Sequence, residues 1–205
     1  MKNKLQASLL LGAIAIAPAA QATQFGAVLG IAVGDGYASF DDPNQNNITV
    51  DVDTEHSLLD IGFAMATGGR DEFMSYRLNL GLAIGSFDSD ETGDTIYDSI
   101  ALASAHSLAF RFVNTPKLSV WAGPSLYLGF GQIEYDGSGD TDSMLAYGVG
   151  PSVGLDLHLG ENAPTLTFEL AYRLMEQSFG EDVDVGFYES YPDDLQFRFG
   201  LLFGG

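Results

Sequence analysis

The closing stretch Leu195-Gln196-Phe197-Arg198-Phe199-Gly200-Leu201-Leu202-Phe203 limits what this chain can become. In an extended strand, successive side chains point to opposite faces. Leu195, Phe197, Phe199, Leu201 and Phe203 then make one large apolar face. Gln196, Arg198, Gly200 and Leu202 make the other. Such a strand needs an apolar medium on one side and accepts polar groups on the other. A soluble sandwich would bury the apolar face in its core. A closed barrel would turn it to lipid and keep the polar face inside.

The N-terminus points to export. Residues 1–22 read as a secretory signal peptide: Lys2 and Lys4, then the short apolar run Leu9 to Ala17, then Ala20-Gln21-Ala22 as a cleavage site. That run is too short to cross a bilayer as a helix, and no later stretch supplies about twenty apolar residues. The expected division is a signal peptide, 1–22, and one domain, 23–205. The chain has no Cys, so no disulfide holds the exported domain together. Without Lys2 and Lys4, six basic residues face 28 acidic ones, a net charge of −22. That balance excludes nucleic acid as a partner, because phosphate contacts need Lys and Arg.

Eight segments carry strand patterning: 24–40, 54–67, 73–87, 96–112, 118–134, 143–159, 165–179 and 193–203. Short connections (68–72, 114–116 and 160–164) alternate with longer polar ones (about 41–53, 88–95, 135–142 and 180–192). An up-and-down antiparallel meander has that rhythm, with tight turns at one end and loops at the other. The phase agrees between segments. Tyr76, Leu78, Leu80, Leu82 and Ile84 oppose Arg77, Asn79, Gly81 and Ala83; Leu166, Phe168, Leu170, Tyr172 and Leu174 oppose Thr167, Glu169, Ala171 and Arg173. The fold expected is an all-β, eight-stranded, antiparallel transmembrane barrel.

Two places break the pattern. Ser104 and His106 fall on the face otherwise held by Ile100, Leu102, Leu108 and Phe110, and a β-bulge there would restore the phase. Pro124 and Pro151 sit inside two strands, in the matching pieces Gly123-Pro124-Ser125 and Gly150-Pro151-Ser152. Proline removes a ladder donor, so a paired bulge at one height is expected.

The charges separate. Arg70 and Lys117 lie at short turns, whereas Arg77, Arg111, Arg173 and Arg198 fall on inner faces, with Asp60, Asp156 and Glu169. Arginine facing lipid near the midplane would cost about 2–4 kcal/mol. Inside a narrow barrel the two signs can neutralise one another as a plug of salt bridges, or line a gated or proton-conducting path. Of the 28 acids, 22 flank the long connections, with no Lys or Arg among them. They read as solvated loops or as weak Ca²⁺ or Mg²⁺ ligands, Asp136, Asp140 and Asp142 above all. No other cofactor is expected. His56 adjoins Ser57, His106 adjoins Ser107 and His158 is near Asp156, but strand neighbours point to opposite faces and make no ready dyad.

On the signal peptide, the strand and loop rhythm and the closing Phe197, Phe199, Leu201, Phe203 pattern, the mature chain resembles the small eight-stranded outer-membrane barrels: the OmpA transmembrane domain, OmpX-type and OmpW-type proteins. The resemblance implies the outer membrane of a Gram-negative bacterium, lipid and lipopolysaccharide as surroundings, and a monomer. It also implies that Phe197, Phe199, Leu201 and Phe203 form the signal read by the barrel-assembly machinery, although the family ends on the aromatic and this chain continues with Gly204 and Gly205. A structural or surface-interaction role is expected. The alternatives are a narrow channel for small solutes or apolar molecules, as OmpW-type proteins imply, and a lipid-modifying enzyme.

Overall fold

The computed structural model describes residues 22–42, 48–68, 72–137, 139–160, 163–180, 186–190 and 192–204. Residues 1–21 of the expected signal peptide, and the loop acids Glu181, Asp182 and Asp184, lie outside the described residues. The elements are β1 (Ala22–Asp42), β2 (Ile48–Thr67), β3 (Met74–Ser89), β4 (Thr95–Asn114), β5 (Leu118–Tyr135), β6 (Thr141–His158), β7 (Thr165–Phe179), β8 (Gly186–Ser190) and β9 (Asp193–Gly204). Each strand pairs antiparallel with the next as far as β7. The short β8 and the longer β9 both lie between β7 and β1, so together they form the eighth stave. β1 pairs with β2 on one side and β9 on the other, which closes the barrel and leaves no free edge.

The first hairpin is longer than expected. β1 and β2 pair from Ala22↔Thr67 to Asp42↔Ile48, so most of the connection expected at 41–53 is strand. The cause is visible in Ile48-Thr49-Val50-Asp51-Val52-Asp53, which has four β-branched residues and only two acids. The acids mark a strand in water rather than a loop.

Alternation sets the two surfaces. Along β7, residues are buried and open in strict turn from Thr165 to Met175. Outside, Leu29, Ile31, Val33, Leu59, Ile61, Phe63, Ile100, Leu102, Phe168, Leu170, Phe197 and Phe199 are exposed and form an apolar girdle. Above it, on the same outer face, stand Asp35, Glu55, Asp98, Glu134 and Asp193. Inside, the barrel is stratified. Val28, Ala64, Ala66 and Leu202 pack at the turn end. Ala83, Ala103, Ala105, Tyr127, Ala146 and Met175 form a second cluster. Phe87, Tyr97, Ile133, Tyr135 and Met144 close the loop end, with the Phe87 and Tyr97 rings stacked 4.4 Å apart. Small residues make room for the large ones: a β-carbon on Gly154 would overlap the Trp121 ring, and one on Gly148 would overlap the Met175 sulfur.

Neither expected bulge forms. The β3–β4 register runs unbroken from Met74↔Phe110 to Phe87↔Tyr97, so Ser104 and His106 stay on the outer face. They tolerate it because they bond to each other and to Tyr76. Pro124 and Pro151 do face one another, within a continuous β5–β6 register. The ladders lapse instead toward the outer neighbours: β4–β5 between Ser107↔Ser125 and Phe110↔Ala122, and β6–β7 between Val149↔Leu174 and Ser152↔Ala171. Each proline lacks the N–H that would point to that neighbour. Ser125 Oγ donates to the Gly150 carbonyl at 3.1 Å and Ser152 Oγ to the Gly123 carbonyl at 3.2 Å, tying β5 to β6 across the pair.

Candidate functional site

The inner faces place all seven side chains of the expected charge cluster in the interior: Asp60, Arg77, Arg111, Asp156, Glu169, Arg173 and Arg198 are buried. They do not form one knot. Arg77, on β3, reaches across to Asp156 on β6 at 2.5 Å. It also donates to Thr167 Oγ1 at 2.9 Å and lies 4.4 Å over the Trp121 ring. Glu169 accepts from Ser107 Oγ at 2.9 Å and Asn79 Nδ2 at 3.3 Å, with Arg198 at 3.9 Å. Arg198 reaches Asp60 at 3.2 Å. Gln196 donates to Asp60 and accepts from Arg173. Arg173 stands 3.9 Å from Asp194 and 5.4 Å from the Tyr127 ring centroid. Arg111 lies apart, donating to the Glu72 carbonyl at 2.7 Å.

Two members were missed by sequence reasoning. Asp194 is one of the acids flanking the last long connection, yet it is buried beside Arg173. Gln196 is the neutral link between Arg173 and Asp60. Both share the phase of Arg198 on β9, and that parity was the available signal. With Asp194 included, Arg77, Arg111, Arg173 and Arg198 stand against Asp60, Asp156, Glu169 and Asp194, so among the described residues the formal charges of this group cancel; Asp142 is buried apart from it, at the loop end. Buried charges need both a counter-ion and hydrogen bonds; Asp60, Asp156 and Glu169 have both, whereas Asp194 has Arg173 as its counter-ion and, among the described residues, no hydrogen bond to either oxygen.

Little space remains around them. A void lined by Asp60, Asn79, Tyr127 and Arg198 holds about 10 Å³, and a second, beside Arg77, Thr167 and Glu169, holds about 10 Å³. That is room for about one water each.

The loop end is chemically different. His56 is buried at the height of the outer acids, above the girdle, and stacks on Phe87 with ring centroids 5.2 Å apart. Burial pushes its pKa down to about 4, against the opposing pull of Asp35 and Asp193. Asp136 and Asp140 are exposed, whereas Asp142 is buried and accepts from the Ser143 N–H at 2.6 Å. Among the described residues, no three metal-ligating side chains converge. His158 contacts the hydroxyls of Ser119 at 3.1 Å and Thr165 at 3.0 Å. On β9, Phe197, Phe199 and Phe203 are exposed and Leu201 is half-buried on the outer face. Gly204 follows with a φ of 93°.

No family model and no curated protein matches the chain. Solved structures are similar to it, and three of them are these. The outer membrane protein OprG from Pseudomonas aeruginosa has 13% identity and a TM-score of 0.49, with 89% of this chain and 96% of that chain covered. Neisserial surface protein A has 13% identity and a TM-score of 0.36, with 85% and 95% covered. Ail, the attachment invasion locus protein of Yersinia pestis, has 11% identity and a TM-score of 0.27, with 87% and 99% covered. Likeness at this level says nothing about binding or activity. The strand pairing itself establishes what the chain is: a closed, up-and-down, antiparallel barrel of eight staves.

Proposed function

We propose that the chain is an outer-membrane barrel of a Gram-negative envelope, with a structural or surface-interaction role and a plugged interior. The observation that carries this is the interior itself. Neutralised arginine–carboxylate pairs fill it, and the voids beside them hold about 10 Å³ each. The apolar girdle supports the membrane location, since a soluble protein rarely exposes so continuous a patch. The outward Phe197, Phe199 and Phe203 are the residues the barrel-assembly machinery would read. No catalytic role is assigned.

The test is conductance of the refolded protein in planar bilayers. A plug gives no stepwise current in the wild type. Steady unitary steps would refute the plug and favour a narrow channel. Membrane placement is checked separately: the protein should fractionate with the outer membrane, and unboiled samples should migrate differently from boiled ones in SDS.

A further inference from the structure

The outer wall holds one polar group that the girdle does not explain. Tyr76 on β3 and Ser104 and His106 on β4 share the outward phase of Leu82, Ile84, Ile100 and Leu102. The Tyr76 hydroxyl lies 2.5 Å from His106 Nδ1, and His106 Nε2 lies 3.1 Å from Ser104 Oγ. On β4 the outward row below Asp98 runs Ile100, Leu102, Ser104, His106, Leu108, Phe110 and Phe112, so His106 sits midway down the girdle. Polar side chains at that depth are costly and mark function by default.

A proton count shows what the group lacks. Tyr76, Ser104 and a singly protonated imidazole carry three protons, and two hydrogen bonds use two of them. A doubly protonated ring would leave two over. In either state at least one donor has no partner within the group. Ser104 is 3% exposed, whereas Tyr76 is half-buried and opens onto a groove. When His106 carries its proton on Nδ1, it donates to the Tyr76 oxygen and accepts from Ser104. The Tyr76 O–H is then the donor left over, directed to the groove.

That groove has a volume of about 710 Å³, with Tyr76, His106, Leu108, Pro124, Leu126 and Pro151 among its lining residues. It lies where the β4–β5 and β6–β7 ladders lapse beside the two prolines. Its size is that of a small-molecule pocket, mostly apolar with a few convergent polar groups. No charged side chain lines it, which disfavours an anionic head.

We infer that this groove binds a neutral, lipid-soluble molecule bearing a carbonyl group (a ketone, quinone or ester), which accepts the spare hydrogen bond of Tyr76. The site goes beyond the structural role and does not depend on whether the interior conducts. Binding selects one ring tautomer, so the protonation of the His106 ring reports it.

The test uses a naphthyl ketone dye whose emission moves to the red when its carbonyl accepts a hydrogen bond. It is titrated into refolded protein in detergent micelles. The wild type should give a saturable red-shifted component. Tyr76→Phe keeps the ring and removes the donor, and should weaken binding by up to about tenfold with loss of the red shift. Leu126→Trp, which fills the groove, should abolish the saturable component, whereas Tyr37→Phe, outside the girdle, should leave it unchanged. Folding of every variant is checked by its SDS migration shift. In ¹⁵N spectra, dye should move His106 of the wild type toward the Nδ1–H form. A red shift equal in wild type and Tyr76→Phe, or one that never saturates, would overturn the inference.

Discussion

The pair formed by Arg77 and Asp156 should be the most consequential interior contact to break. Its atoms are 2.5 Å apart, and the side chains are 6% and 2% exposed. Asp156→Ala leaves the guanidinium with the Thr167 hydroxyl and the Trp121 face. Removing one partner of a buried ion pair costs about 3–5 kcal/mol, because the other charge is stranded. The Trp121 face and the Thr167 hydroxyl, already in contact in the wild type, still hold the stranded guanidinium, a desolvated cation–π contact being worth up to about 2 kcal/mol. The expected loss is therefore about 3 kcal/mol, at the lower end of that range. Replacing both partners with apolar residues of similar volume, Arg77→Met with Asp156→Leu, strands nothing and should return stability to within about 1 kcal/mol of wild type. The assay is urea unfolding of refolded protein in micelles, followed by tryptophan emission. Trp121 is the only tryptophan and lies against Arg77, so the probe is local to the perturbation. A single variant within about 1 kcal/mol of wild type, or a double variant equal to the sum of the two singles, would refute the argument.

Three other outcomes follow from the same geometry. His56 has a folded pKa of about 4 against an ordinary 6.5, so between those values the unfolded chain binds a proton that the folded barrel rejects. Stability should fall as pH drops through that window, by up to about 3 kcal/mol, and the fall should vanish in His56→Gln. Gly154→Val places carbon in the Trp121 ring and should cost about 1–3 kcal/mol or block refolding, seen as loss of the SDS migration shift. Leu170 is 36% exposed and its neighbour Ala171 is 1% exposed; a fluorophore on a cysteine at 170 should be quenched strongly from the lipid phase, and one at 171 weakly.

The barrel was legible because its strands obey a period of two, and one slip of register would exchange every lipid and lumen residue. That parity also turned Arg77, Arg173 and Arg198 inward. Their partners were not legible. Arg77 and Asp156 are 79 residues apart and meet across the lumen, which strand phase cannot predict. Asp194 was hidden by its neighbours, since Pro192-Asp193-Asp194 has the composition of an acidic loop. Ser104 and His106 looked like a defect because each was judged by its own strand. The structure shows Tyr76 supplying the missing contact from the next one. The acids at 51 and 53 give the strand at 48–53 the composition of a connection, whereas β2 continues beyond the girdle into water.

The outer acids show how the chain distributes its charge. Asp35 is paired with Glu55, Glu55 with Asp88, and Asp98 with Glu134 across neighbouring strands, all on the outer face above the girdle. Like charges directly opposite one another destabilise a sheet by roughly 0.2–1 kcal/mol per pair. Glu55 takes part in two such pairs, so Glu55→Gln should stabilise the barrel, with a gain near the upper end of that range. The cause is Coulombic and exposed, so the gain should shrink as sodium chloride rises and the screening length falls from about 30 Å at 0.01 M to about 3 Å at 1 M. Carboxylates are also the ligands that calcium and magnesium prefer. If divalent ions bridge these rows, magnesium at matched ionic strength will stabilise the wild type more than sodium does, and the excess will be smaller in Glu55→Gln. If sodium and magnesium act alike at equal ionic strength, screening alone relieves the collar. A Glu55→Gln barrel that is less stable than wild type at low salt would mean that the carboxylate is held by a favourable contact, and the repulsion argument would fail.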